Sequence, residues 1–135
     1  MLEPLIEQLK RHEGLRLKPY RCSAGKLTIG YGRNLEDRGI NETEAEFMLR
    51  ADAEESWEWA ATEFPELDEV RLAVIANMHF NLGPTRLRLF HNMYKALRNG
   101  AYTMAAEEML DSLWARQVGK RAKELATQMK TGAWG

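Results

Sequence analysis

Residues 12–34 read HEGLRLKPYRCSAGKLTIGYGRN, a glycine-rich stretch that holds the only cysteine of a 135-residue chain. Before it, Leu2, Leu5, Ile6 and Leu9 recur at the i, i+3, i+4, i+7 spacing of a short amphipathic helix, and Gly14 supplies a stop. From Leu27 the period changes. Leu27, Ile29 and Tyr31 alternate with Thr28, Gly30 and Gly32, the two-residue repeat of a strand, with Ser23-Ala24-Gly25-Lys26 as the turn before it. A small sheet is thus inserted near the start of a chain that otherwise reads as helix. The class expected is α+β, mainly helical.

Beyond the hairpin, Asn41-Glu42-Thr43-Glu44 has the spacing of a capping box and opens a long polar helix toward Trp57 and Trp59, with Pro65 interrupting it or following its end. From about Asp68 to Leu82 runs a largely apolar helix, ended by Gly83-Pro84, the candidate for the central buried helix. Further helices are expected over roughly 90–99, over 103–115 with Thr103 as cap, and over 119–130. No repeat, low-complexity tract or linker interrupts a single domain spanning 1–135.

Composition narrows the function classes. Hydrophobic residues make up 44% and charged residues 29%, normal for a globular protein, and no window holds the ~20 apolar residues of a membrane span. The opening MLEPLIEQLKRHEG lacks the apolar run and small-residue cleavage site of a secretory signal. One cysteine excludes an internal disulfide, and histidines at 12, 79 and 91 share no metal-ligand spacing with it, so neither metal nor cofactor is expected. Charge is uneven: 8 basic and 5 acidic groups in 1–40, 2 and 11 in 41–83, 9 and 4 in 84–135. Two basic ends suit attraction to a polyanion, with Arg86, Arg88, Lys95 and Arg98 as candidates, or simply a solvated helix face. A nucleic-acid binder is disfavoured by the lack of a basic recognition element or interleaved aromatics.

Three residues of the opening stretch are candidates for chemistry. Glu13 falls in the last turn of the first helix, where the negative end of the dipole disfavours a charged carboxylate, and a general acid must carry its proton. Thr28 shares a strand face with two glycines, which let a ligand approach closely. Cys22 sits in polar surroundings near Lys18, Arg21 and Lys26, cations that favour thiolate. Each also has a plain reading: an exposed glutamate, a good strand former, an inert thiol.

Their order and spacing decide between the readings. Glu13, eight residues, Cys22, five residues, Thr28 resembles the catalytic pattern of the phage-type lysozymes, the T-even family of glycoside hydrolases (glycoside hydrolase family 24), whose members carry Glu, Asp or Cys, and Thr at these intervals. EGLRLKPY and TIGYG look like that family's opening helix and hairpin, ANMHFNLG at 76–83 like its central helix, and SLWARQVGKRAKE with TGAW like its last helices. The resemblance covers nearly the whole chain. It implies a lysozyme-like fold, with a hairpin lobe and connecting helix over about 14–60 and a helical lobe of 1–13 plus 61–135. Catalytic roles fall on Glu13, Cys22 and Thr28, substrate contacts on Gly30, Asn77, Asn81 and Gln117, and pairing with the acid on Arg121.

Two departures stand out. Arg33 replaces the histidine common after TIG-x-G, so an ion pair of some members is lost or rebuilt, and Cys22 replaces the commoner aspartate. The implied activity is hydrolysis of the β-1,4 bond between N-acetylmuramic acid and N-acetylglucosamine in peptidoglycan, with host cell lysis. The alternative is a catalytically impaired, lysozyme-like peptidoglycan-binding module. The resemblance further implies a monomer, without nucleic acid or stable membrane insertion, stored in the host cytoplasm and reaching the periplasmic wall after a holin opens the inner membrane.

Overall fold

The computed structural model describes residues 2–135. Their order is α1 (Leu2–Glu13), β1 (Arg16–Arg21), β2 (Leu27–Gly30), β3 (Arg33–Asn34), α2 (Glu42–Glu63), α3 (Glu69–Leu82), α4 (Pro84–Leu87), α5 (His91–Arg98), α6 (Tyr102–Leu110), α7 (Leu113–Val118) and α8 (Lys120–Thr131). The expected mainly helical α+β class is found. The chain divides into two compact units, Met1–Met48 and Leu49–Gly135.

In the first unit α1 ends where expected: Gly14, at φ 71°, donates its amide to the Lys10 carbonyl (3.0 Å). The sheet is antiparallel in the order β1-β2-β3, with Tyr20 opposite Thr28 and Thr28 opposite Asn34. The strand expected to reach Gly32 stops at Gly30. Gly30 and Gly32 take φ of 69° and 78°, so the chain turns there, and the two-residue alternation persists in the letters beyond the extended backbone. Gly32 therefore leaves the face that Thr28 and Gly30 share.

The capping box of α2 forms as the spacing predicts. Asn41 Oδ1 accepts the Glu44 amide (2.8 Å), and Glu44 Oε1 accepts the Asn41 amide (2.9 Å). The same carboxylate is held by Arg33, whose Nη1 donates to Oε1 at 2.8 Å and whose Nη2 meets Oε2. The arginine in place of the family's histidine thus builds its own bidentate ion pair. Arg33, then the Asn41 amide, pulls the Glu44 carboxyl down to about 2. With its folded pKa below the unfolded one, this group stabilises the fold fully above the ordinary range near 4.5, and loses that contribution as pH falls through about 2. The destabilisation caused by Arg33→Ala should accordingly be largest at pH 7, shrink below pH 4.5, and near pH 2 fall to what the bond from Arg33 to the Gly39 carbonyl contributes, as read in denaturant titrations.

The second unit holds the apolar core: Phe64, Val74, Ile75, Met78, Leu87, Met93, Leu97, Met109 and Met129 are buried, and α6 packs on α5 and α8. α3 is its central helix, capped by Asp68, whose side chain accepts the Arg71 amide. Arg71 closes the far side of the core. Its Nε donates to the Met129 carbonyl (2.7 Å), its Nη2 to that of Lys130 (3.1 Å), and its guanidinium covers the Tyr102 ring at 3.9 Å. It thereby satisfies the last carbonyls of α8. Arg71→Ala should lower unfolding free energy by about 2–4 kcal/mol, since hydrogen bonds to charged groups contribute ~1.5–3 kcal/mol each. Loss of less than 1 kcal/mol would show that solvent replaces the guanidinium.

Two expectations are corrected here. The single helix over 103–115 is broken into α6 and α7, because Ser112 Oγ accepts the Ala115 amide (3.1 Å) and donates to the Met109 carbonyl (2.7 Å), starting a new helix. Thr103 caps nothing: Ala101 stands at the cap position of α6, without a side-chain bond. Of the basic groups at 84–98, Arg88 and Arg98 have partners of their own. Arg88 Nε donates to Glu63 Oε2 (2.7 Å), while Arg98 Nη1 donates to the Glu63 carbonyl (2.9 Å) and lies 3.5 Å from Glu66.

Candidate active site

The sequence-predicted residues fall into a group in each unit. In the first, α1 delivers Glu13 at its C-terminal end, exposed to solvent. Its side chain lies across Gly32, since a Cβ added there would stand 2.5 Å from Glu13 Oε2 and 2.9 Å from its carboxyl carbon. The positive φ of Gly32 favours glycine, and the Glu13 carboxylate occupies the space a side chain there would take. Gly32 entered the sequence reading only as part of a bare strand face; no letter pattern ties a turn glycine to one carboxylate. Gly32→Ala should displace the Glu13 carboxylate and slow turnover roughly tenfold or more, with murein binding retained, because small misplacements of a reacting group are costly. Unchanged turnover would show that the carboxylate swings clear.

Cys22 and Thr28 meet at the turn between β1 and β2. The Cys22 amide donates to the Lys26 carbonyl (3.0 Å), and the Gly25 amide to the Cys22 carbonyl (2.8 Å), which closes the turn. Thr28, 3% exposed, donates its hydroxyl hydrogen to the same Lys26 carbonyl (2.8 Å). The backbone amides of Lys26 and Ala24 lower the Cys22 thiol below its ordinary range. Thr28 has one hydroxyl hydrogen, already given to Lys26, so the two amides are the donors that hold a thiolate. The hydroxyl expected on the open floor of a groove is instead buried, with its oxygen left to accept. Gly30 follows Thr28 by two residues on β2 and pairs with Arg16. Half-buried Cys22 is the accessible member of the pair.

In the second unit Asn77, on α3, and Arg121, in the first turn of α8, are joined. Arg121 Nε and Nη2 donate to Asn77 Oδ1 at 2.9 and 2.7 Å. Both line a cavity of about 380 Å³ with Ser56, Trp57, Ala76 and Phe80. Asn81, one turn on, accepts the Trp114 indole N–H on Oδ1 (2.8 Å), which leaves its amide nitrogen to donate. Gln117 is exposed on α7, away from any hydrogen-bond partner among the described residues. Trp114, buried and tied to Asn81, was not singled out as a site residue by its sequence; its indole N–H reports the polar partner only once α3 and α7 are placed.

Chemically, the first unit offers a carboxyl on a helix end and a thiol whose turn favours its ionised form. Such groups can serve as an acid and as a base or nucleophile. Residues 10–131 match the family model described as phage lysozyme. The chain is 35% identical over 118 residues to an endolysin of Acyrthosiphon pisum secondary endosymbiont phage 1, which covers 84% of this chain and 80% of that protein. It is also 25% identical, over 98% of its length and 96% of the relative's, to the probable T4-type lysozyme 1 of Dictyostelium discoideum.

Proposed function

The chain belongs to the phage lysozyme family, and on that premise we propose that Glu13 is the general acid and Cys22 the second catalytic group of its glycosidase site. The enzyme class is lysozyme, and peptidoglycan is its substrate. The finer reading assigns it to glycoside hydrolase family 24 and to the β-1,4 bond between N-acetylmuramic acid and N-acetylglucosamine.

In this mechanism the Glu13 carboxyl gives its proton to the glycosidic oxygen as the bond to the anomeric carbon breaks. Water adds to that carbon from the opposite face, and its proton passes to the Cys22 thiolate. Glu13 is then left ionised and Cys22 protonated, and exchange with solvent restores both. The observation that carries the reading is the seat of Cys22: two backbone amides favour the thiolate where the commoner family residue is an ionised aspartate. Thr28 fixes the Lys26 carbonyl and presents its oxygen to the water. On the family resemblance we assign Asn77, Asn81, Gln117 and Gly30 to the glycan and Arg121 to pairing with the acid; Arg121 itself is hydrogen-bonded to Asn77.

As an endolysin the protein acts as a monomer, is stored in the host cytoplasm, and reaches the periplasmic wall once a holin has opened the inner membrane. The test that separates it from a binding module is release of soluble muropeptides from isolated murein by a catalytic amount of protein. Many turnovers per molecule are expected. Stoichiometric binding without release would instead establish the module.

A further inference from the structure

The turn that seats Cys22 is flanked by two cations, Arg21 and Lys26, and both are tied to one side chain. Glu36 Oε1 accepts Arg21 Nη1 at 3.1 Å, and Glu36 Oε2 lies 3.7 Å from Lys26 Nζ. Oε1 also takes the Leu27 amide at 3.4 Å. Asp37 holds Lys26 from a second side, 3.3 Å from Nζ, and is itself fixed by Asn34, which accepts the Asp37 amide (3.0 Å) and donates to its carboxylate (3.1 Å). Arg21 closes the ring by donating from the same Nη1 to the Gly25 carbonyl, 3.1 Å. The segment after β3 is anchored on β2 through the Leu35 amide, which bonds the Leu27 carbonyl at 2.8 Å.

We propose that Glu36, seconded by Asp37, is a positioning residue for Cys22 and Thr28: its carboxylate clamps both ends of the 21–26 turn, and so fixes the Lys26 backbone that both side chains use. The Lys26 carbonyl accepts from the Cys22 amide and the Thr28 hydroxyl, and the Lys26 amide favours the ionised thiol. A turn free to open loses these bonds together. Single exposed ion pairs contribute little, but here one carboxylate joins two cations and a backbone amide, a small network on one loop. The charged groups around the thiol are then Arg21, Lys26, Glu36 and Asp37, and the clamp works on sulfur through backbone amides rather than through its own charge.

The proposal rests on the catalytic reading of Cys22 for its meaning, yet its test does not. The rate of iodoacetamide alkylation of the purified protein, followed against pH, gives the ionisation midpoint of Cys22 whether or not the thiol takes part in catalysis. Glu36→Ala should move the midpoint upward, toward that of a free thiol, and lower kcat roughly tenfold with KM little changed. Asp37→Asn should shift it the same way by less. Glu36→Gln, which keeps an acceptor for Arg21 and the Leu27 amide, should fall between wild type and Glu36→Ala. Because Glu36 is exposed, each variant should fold with an unchanged circular dichroism spectrum.

An unmoved midpoint in Glu36→Ala overturns the clamp even where Cys22 proves catalytic. A midpoint that falls in both Glu36 variants also overturns it, since the carboxylate would then act on the thiol directly as a negative charge. If Cys22→Ser keeps full turnover while the midpoint moves as expected, the clamp stands and the catalytic reading of the thiol fails alone.

Discussion

Glu13→Gln is expected to reduce the release of reducing ends from isolated murein by ~10²–10⁴-fold, the range a positioned general acid contributes. The exchange keeps size and hydrogen bonding but removes the proton the leaving sugar oxygen needs. Glu13 is exposed at the end of α1, so no buried contact is lost, and thermal stability should stay within the ~0.5 kcal/mol usual for surface substitutions. The variant should still sediment with murein. Clearing of outer-membrane-permeabilised Gram-negative cells, measured beside the soluble assay, checks the same loss on intact wall. Retained turnover would remove Glu13 from the acid's role; binding without cleavage by wild type and variant alike would favour the binding module.

That prediction was accessible from sequence because it depends on spacing. Periodicity and turn residues placed Glu13, Cys22 and Thr28 on a helix end and one hairpin, and the resemblance of their spacing to the family's pattern singled them out. The helix starts at Asn41 and Asp68 were legible for the same reason: a side chain bonding an amide three residues on leaves its mark in the letters. What was not legible lies in bonds across long intervals. Arg33 with Glu44, Arg71 with the end of α8, and Asn81 with Trp114 each join groups whose pairing only the folded backbone defines. The break at Ser112 escaped because the apolar pattern of 103–115 continues through it, while one hydroxyl bonding Met109 and Ala115 diverts the chain. Thr28 was misread as open because glycines at positive φ imitate a strand's alternation without extending the strand.

Blocking Cys22 is the second large effect. Stoichiometric carboxamidomethylation should lower turnover by about 10²-fold, and Cys22→Ser should do much the same, because a serine hydroxyl ionises far too weakly to stand in for a thiolate as base. Cys22→Asp, which restores the commoner residue of the family, should recover activity and make it indifferent to iodoacetamide. With the wild type, activity should rise with pH as the thiol ionises, earlier than for an ordinary thiol because the Lys26 and Ala24 amides favour the charged sulfur. The stereochemistry of the first product then separates the two roles open to that sulfur. As a base for water, Cys22 leaves one displacement at the anomeric carbon, and the new reducing end appears first as the α-anomer. As a nucleophile, it forms a transient thioglycoside that water must displace in turn, and the β-anomer appears. Proton magnetic resonance of the fresh digest reads the anomer directly. Inversion is the expected result, and full activity with Cys22 blocked would take the thiol out of the mechanism altogether.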